Sequence, residues 1–227
     1  MIETCYRNEL KYLISKSTQQ IMSHRLRAVL KMDPHAGQDG YLVKSVYFDD
    51  FDDNSLLDNL MGTSDREKFR IRYYDTHTDF INLEKKVKKQ NKGFKEISRL
   101  SLDEAERMIK GDIEFLKNHP DRLLREFYLK TKQKGLRAKV IVIYRREPFI
   151  FNAGNTRITL DFNIRNSLDV GRFFNSDLIT SPQLTDRCLL EVKFDSYLPD
   201  IIRDIIQVPE TQQTAHSKYG ISRMYNM

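Results

Sequence analysis

The chain is poor in the residues that build the commonest functional sites. Cys5 and Cys188 are its two cysteines, too far apart for a metal-ligand or redox spacing. Both read as reduced, structural residues of a cytoplasmic protein. Glycine is scarce, at nine residues. No Gly-x-x-x-x-Gly-Lys-Ser/Thr loop and no Gly-x-Gly-x-x-Gly turn after a strand is present, so a backbone cradle for phosphate is disfavoured. The five histidines show no ligand spacing. No apolar run approaches the ~20 residues that a membrane-spanning helix needs. The polar N-terminus lacks the apolar core of a secretory signal. No low-complexity linker or internal repeat divides the 227 residues, so one soluble domain over residues 1–227 is expected.

What the sequence has is charge. Lys and Arg number 38 against 32 Asp and Glu, a net charge of +6. The excess favours anionic partners: nucleic acid, nucleotides, inorganic polyphosphate or a membrane surface. Its arrangement says more. Residues 157–165 alternate strictly, with Arg157, Thr159, Asp161, Asn163 and Arg165 on one strand face and Ile158, Leu160, Phe162 and Ile164 on the other. Residues 66–74 put Arg66, Lys68, Arg70 and Arg72 on one face, ahead of Phe69, Ile71 and Tyr73. The same alternation places Glu84 with Lys86 and Lys88, Glu191 with Lys193, and Arg7 with Glu9 and Lys11. Like charges this close repel. Several such strands predict a shared basic surface holding a few carboxylates.

The periodicities order the elements. Strands are predicted at about 3–13, 41–48, 66–75, 79–89, 92–99, 137–146, 149–152, 156–165 and 187–195. Thr76-His77-Thr78 reads as a hairpin turn. A helix opens at Ser17 with Gln20 as capping partner and buries Ile21, Met22, Leu26, Val29 and Leu30. Asp33-Pro34-His35-Ala36-Gly37 breaks it. A second helix is boxed by Ser101 and Glu104 and stopped by Gly111. A helical stretch at about 112–133, interrupted near Pro120, buries Leu123, Leu124, Phe127 and Tyr128. Leu198, Ile201, Ile202, Ile205 and Ile206 mark one last amphipathic helix. The acidic turn Asp49, Asp50, Asp52, Asp53 reads as a solvated loop rather than a cation site. The sum is an α+β fold: an antiparallel eight-stranded β-barrel tunnel with a charged interior, flanked by amphipathic helices.

Guanidinium forks bind phosphate oxygens in pairs and do not deprotonate, so Arg70 and Arg72 suit a dense anion. A carboxylate inside such a site has a use if it holds Mg²⁺ or Mn²⁺, which take one or two carboxylates plus substrate phosphates. Single-strand nucleic-acid binders interleave exposed aromatics with their charges. Here Phe69, Tyr73 and Phe162 alternate away from the charges, with Tyr74 the exception, so no nucleic acid is expected.

In order along the chain stand Arg7-x-Glu9-x-Lys11-Tyr12, Ser45-Val46-Tyr47-Phe48-Asp49, Lys68-x-Arg70-x-Arg72-Tyr73-Tyr74 and Leu83-Glu84-x-Lys86. Tyr144-x-Arg146-x-x-Phe149, Arg157-x-Thr159-x-Asp161, Leu190-Glu191-x-Lys193 and Ser217-Lys218-Tyr219 follow. This ordered set resembles the VTC domain, the polyphosphate-polymerase branch of the CYTH-like triphosphate tunnel metalloenzymes, over essentially the whole chain. The resemblance implies a metal-dependent transferase that moves the γ-phosphoryl group of ATP, or of another triphosphate, onto inorganic polyphosphate. It implies Lys11, Lys68, Arg70, Arg72, Lys86, Arg146, Arg157, Lys193 and Lys218 as phosphate ligands, with Lys193, Arg157 and Arg72 closest to the chemistry. It implies Glu191 as the principal ligand of a divalent cation, Mn²⁺ or Mg²⁺, supported by Glu9 and Glu84. The superfamily's triphosphatases and adenylyl cyclases usually begin with Glu-x-Glu-x-Lys. Arg7 replaces the first glutamate here, which argues against simple triphosphate hydrolysis. A tripolyphosphatase, a nucleoside triphosphatase and a non-catalytic polyphosphate- or nucleotide-binding module are the alternatives. The SPX domain and membrane anchor of the eukaryotic members are not among these residues.

Overall fold

A computed structural model describes residues 7–89, 92–207, 212–214 and 217–224. Cys5 lies outside them. Strand β1 (Asn8–Ser15) leads into helix α1 (Lys16–Val29), the short β2 (Lys31–Met32) and β3 (Tyr41–Asp49). Helix α2 (Asn54–Met61) precedes three consecutive strands, β4 (Arg66–Tyr74), β5 (His77–Lys89) and β6 (Lys92–Leu100). Helices α3 (Leu102–Lys110) and α4 (Arg122–Lys134) follow, then β7 (Arg137–Phe151), β8 (Thr156–Ser167), the short β9 (Ser181–Pro182) and β10 (Arg187–Phe194). Helix α5 (Asp200–Ile206), the short β11 (Gln212–Gln213) and helix α6 (Lys218–Met224) complete the described chain.

The fold is α+β, with six α-helices and one large antiparallel sheet among the described residues. Eight of its strands are eight or more residues long. The hydrogen-bonded order is β11-β1-β10-β8-β7-β3-β4-β5-β6, with β2 added on β7 and β9 on β8. That order has two ends, so the pairing among the described residues is an open sheet and does not by itself make a barrel.

By their packing the residues fall into two compact units. The first takes Met1–Leu42, Tyr144–Ile164 and Pro182–His216. Its core joins Met22 and Leu26 of α1, Ile158 and Leu160 of β8, Leu190 and Val192 of β10, and Ile202 and Ile206 of α5. Cys188 lies in this core as a buried free thiol, and burial pushes its pKa up to about 11. The second takes Val43–Ile143, Arg165–Ser181 and Ser217–Met227. There Phe69 and Ile71 of β4 and Leu83 of β5 pack with Met108 of α3 and Leu124 and Phe127 of α4. Phe127 meets Phe48 and Phe69 edge-on, with ring centroids 5.0 and 5.4 Å apart.

Several local expectations shift. Ser15, not Ser17, caps α1: its Oγ accepts from the Thr18 N–H at 3.1 Å. The buried stripe of α1 is Thr18, Gln19, Met22, Ser23 and Leu26, while Ile21 and Val29 are 51% and 46% exposed. Ile21 falls about a quarter-turn off the i, i+3, i+4 row that faces the core, and Val29, three residues after Leu26, is on the row but is the last residue of the helix. The predicted strands at 137–146 and 149–152 are one strand running through Pro148. Near Pro148 the added neighbour is the two-residue β2, and the Pro148 carbonyl accepts from the Asp33 N–H at 3.0 Å, so the missing amide costs little. The β4–β5 turn is Asp75-Thr76, with Tyr74 paired to His77 and Asp75 at φ 49°. Helices α2 and α6 were not expected. The Ser101–Glu104 box and the Gly111 stop form as predicted.

Gly40 tests how closely the first unit is packed. Its φ is +73°, and a Cβ there would lie 2.0 Å from the Arg146 carbonyl oxygen. Gly40→Ala therefore combines left-handed strain with a backbone clash. We expect a loss of about 2–4 kcal/mol in urea unfolding. An unchanged midpoint would show that the loop and β7 do not meet in this way.

Candidate functional site

In each unit the site residues read from sequence gather in an ion cluster on the strands. In the first, the β1–β10 register sets Glu9 against Lys193 and Lys11 against Glu191. Lys11 Nζ lies 3.4 Å from Glu9 and 3.5 Å from Glu191, and Lys193 Nζ lies 3.8 and 3.2 Å from the same two carboxylates. Two glutamates thus share two lysines. Arg146 approaches Glu191 at 3.6 Å but spends its fork on Asp161, at 2.6 and 2.7 Å. Both are buried, Asp161 at 0% exposure. Burial works against the Arg146 charge, but Asp161 and Glu191 outweigh it and raise its pKa. Arg157 donates to Asp33 at 2.9 Å and to the Tyr41 hydroxyl at 3.2 Å. Thr159, paired with Glu191 across β8 and β10, is buried, and its hydroxyl has no hydrogen-bond partner among the described residues. Arg7 forms an ion pair with Asp195 at 3.2 Å.

In the second unit the centre is Glu84, 1% exposed on β5. Arg70 donates to it through Nε at 2.7 Å, Lys95 through Nζ at 3.0 Å, and Arg72 lies 3.8 Å away. Burial raises the Glu84 pKa, but Arg70, Arg72 and Lys95 together hold it well below the usual carboxylate range. Arg72 also donates to Ser45 at 2.9 Å, and Arg70 to the Tyr47 hydroxyl at 3.0 Å. Burial opposes ionisation of Tyr47, yet Arg70, Arg72 and Lys218 lower its pKa, which places the buried Lys218 in the same field. Lys68 reaches Ser217 Oγ at 3.5 Å and lies 5.0 Å from the centre of the Tyr219 ring. Lys86 is exposed and stands in register between Lys68 and Lys95.

Helix α6 is tied to this cluster by the acidic turn, which is not a solvated loop. Asp49 is fully buried and accepts the Ser55 and Leu56 amides at 2.9 and 3.0 Å, so it caps α2. The Tyr219 hydroxyl donates to the same carboxylate. Asp53 takes both arms of the Arg223 fork, at 2.9 and 2.7 Å, and Lys139 at 2.9 Å. Of the four aspartates Asp52 remains an exposed one.

The site residues read from sequence therefore gather in two sets. Glu9, Lys11, Arg146, Glu191 and Lys193 belong to one and Lys68, Arg70, Arg72, Glu84, Lys86 and Lys218 to the other. Arg157 stands opposite Lys193 across β8 and β10, with its guanidinium engaged by Asp33 and Tyr41. Sequence reading missed Lys95, Asp33 and the anchoring roles of Asp49 and Asp161. Lys95 had a usable signal, since it alternates with Phe94 and Glu96, but its pairing to Glu84 needs the register.

No cluster of three or more His, Cys, Asp or Glu that would hold a metal occurs among the described residues. The Glu9–Glu191 pair nonetheless fits a hard divalent cation. Two carboxylates with oxygen donors suffice when substrate phosphates complete the shell. Glu84 fits less well, because its oxygens already serve Arg70 and Lys95.

Fold and site together define an α+β protein whose strands present cation-rich, carboxylate-centred faces opposite their apolar ones. The chain belongs to the VTC domain family, whose sequence model matches residues 6–225. No curated protein matches it. Among solved structures it is similar to the PH1819 protein of Pyrococcus horikoshii OT3, at 12% identity and TM-score 0.50, over 97% of this chain and 99% of that one. It is also similar to a candidate adenylate cyclase of Bacillus halodurans, at 18% identity and TM-score 0.52, over 88% of this chain and 91% of that one. At these identities the likeness is one of fold.

Proposed function

We propose that the protein is a polyphosphate polymerase: it transfers the γ-phosphoryl group of ATP to the end of a polyphosphate chain and releases ADP. The observation that carries this reading is the Glu84-centred cluster, which holds two guanidinium groups in fixed positions on a strand face in a VTC-family chain. In this reading the eight long strands close around the charged faces as a tunnel, and the chain acts as one domain.

The chemistry asks little covalent work of the protein. A terminal oxygen of the polymer attacks the γ-phosphorus, a new P–O bond forms, and the bond from that phosphorus to the β–γ bridging oxygen breaks. The bridging oxygen leaves with ADP. Positioning and charge neutralisation lower the barrier. Arg70 and Arg72 grip phosphate oxygens in pairs, and Ser45, Tyr47 and Glu84 hold their forks in place. Lys193, Lys11, Lys68, Lys86 and Lys218 add charge, and Arg157 joins them if it exchanges Asp33 for phosphate. Arg146 acts by fixing Asp161 and Glu191. A divalent cation, Mg²⁺ or Mn²⁺, held by Glu191 and Glu9 would supply further neutralisation of the transferred group.

Incubation with ATP and Mn²⁺ tests the proposal. Long polyphosphate and stoichiometric ADP are expected. Orthophosphate without polymer would make the protein a hydrolase of the same fold, a reading that Arg7, engaged with Asp195 in place of an acidic residue, disfavours. Tight polyphosphate binding without turnover would make it a binding module.

A further inference from the structure

The register of β4, β5 and β6 carries the basic face beyond the residues assigned above. Lys68, Lys86 and Lys95 stand directly opposite one another across three strands. One step outward, Arg66 stands opposite Lys88, with Gly93 beyond it. One step inward are Arg70, Glu84 and Ile97, and then Arg72, Asn82 and Arg99. Over these four rows Glu84 is the one carboxylate on the face. Like charges set directly opposite cost stability.

The reverse face of the same strands is built differently. There Lys85 is met by Glu67 at 3.5 Å and Glu96 at 3.9 Å, and it donates to Glu126. Arg122 pairs with Glu96, and Lys130 with Glu67. Lys85, Arg122 and Lys130 on the reverse side thus each meet a carboxylate, whereas Arg70, Arg72 and Lys95 share Glu84. Alternate residues along a strand lie about 6.7 Å apart, so Arg72 to Arg66 spans about 20 Å. That is several times the separation of the end phosphorus atoms of a triphosphate.

We propose that Arg66 and Lys88 form an outer subsite for a linear polyanion, engaged by polyphosphate chains too long for the Arg70–Arg72 cluster alone. The proposal rests on the reading of the protein as a polyphosphate-handling enzyme and adds where the growing chain runs. Lys88 is half-buried, and so is Arg66, whose Nη1 lies 3.4 Å from the Asp58 carbonyl oxygen. A guanidinium and an ammonium side by side suit successive phosphate units. A chain already held at the inner cluster reaches them as an intramolecular event, which raises affinity without a second encounter.

The test is calorimetric titration of the whole chain with tripolyphosphate and with a long-chain polyphosphate, at fixed ionic strength and without nucleotide. For the wild type, the long chain is expected to bind about tenfold or more tightly per molecule. R66Q/K88Q should reduce that advantage to about threefold or less, with tripolyphosphate affinity within about twofold of wild type. K89Q removes one charge from the reverse face of β5 and should leave both affinities unchanged. Unaltered chain-length dependence in R66Q/K88Q overturns the outer subsite. So does an equal loss in K89Q, which would make the effect one of net charge. A wild type that binds neither anion overturns the parent function and this subsite together. One that binds tripolyphosphate and shows no gain with length overturns the subsite alone. Melting temperatures without ligand, expected to match wild type, separate a binding loss from a folding loss.

Discussion

Glu84→Gln is expected to cost about 3–5 kcal/mol at neutral pH, because it leaves Arg70, Arg72 and Lys95 crowded without their shared counter-charge. The lower end of that range is the better expectation, since the Lys95 side chain is 41% exposed and water screens it. The pH dependence follows from the sign of the shift. The Glu84 pKa is depressed in the folded state, so its contribution is fully present above the unfolded carboxylate value of about 4.3. It is lost as pH falls from there toward the lower folded value. Wild-type stability should therefore decline below about pH 4.3, and Glu84→Gln should flatten that decline by removing one of its sources. Tripolyphosphate supplies the missing negative charge from outside, so the variant's melting temperature should rise more with it than that of wild type. Denaturant curves from pH 3 to 7, with and without tripolyphosphate, check all three results. A variant as stable as wild type at pH 7 would show that the three cations need no internal partner.

Glu191→Gln should lower turnover by about a hundredfold or more, the scale on which disturbing a metal site acts, while tripolyphosphate binding in the absence of metal stays within about threefold. Glu191 is 6% exposed and touches Lys11, Lys193 and Arg146. Removing one negative charge beside three cations should not weaken the Coulombic attraction for an anion, so a loss confined to turnover points to the divalent cation. Calorimetry with Mn²⁺ alone gives a readout independent of catalysis: binding seen in wild type should vanish in the variant. Full turnover at saturating Mn²⁺ would remove Glu191 from the essential ligands. A drop in tripolyphosphate affinity equal to the drop in rate would show that it merely holds Lys193 and Lys11 in place.

How much of this was legible in the sequence differs by residue. The alternation of Arg66, Lys68, Arg70 and Arg72 with Phe69, Ile71 and Tyr73 gave the face on which each side chain lies, because strand geometry has period two. It could not give which residues meet across strands. The Lys68 and Lys86 pairing depends on the two-residue turn at Asp75-Thr76, and one step of slip would move every partner to the other face. The α1 stripe was misread because Ile21 and Val29 are apolar but exposed, the first off the buried row and the second at the helix end, while Thr18, Gln19 and Ser23 are polar but buried. Asp49 was misjudged for a different reason. An aspartate next to three others reads as solvated, and the partners that make it a buried cap are the α2 amides and a tyrosine 170 residues later. Helices α2 and α6 were missed because eight and seven residues give a weak periodic signal. Closure into a tunnel was expected from the charged faces, whereas the pairing seen is an open sheet.

The bond from Tyr219 to Asp49 and the fork from Arg223 to Asp53 each join residues 170 positions apart. On the ribosome, β3, β4 and β5 are therefore made long before the residues that settle the acidic turn beside them. Until residue 223 emerges, Asp49 has the α2 amides but no hydroxyl, and Asp53 has Lys139 but no guanidinium. The second unit cannot complete itself until Tyr219 and Arg223 have been made, and its last ion pairs form after most of its sheet has been synthesised. Such late, long-range closure slows folding, and it leaves basic strands exposed on the way, where abundant cellular polyanions are their first available counter-charge.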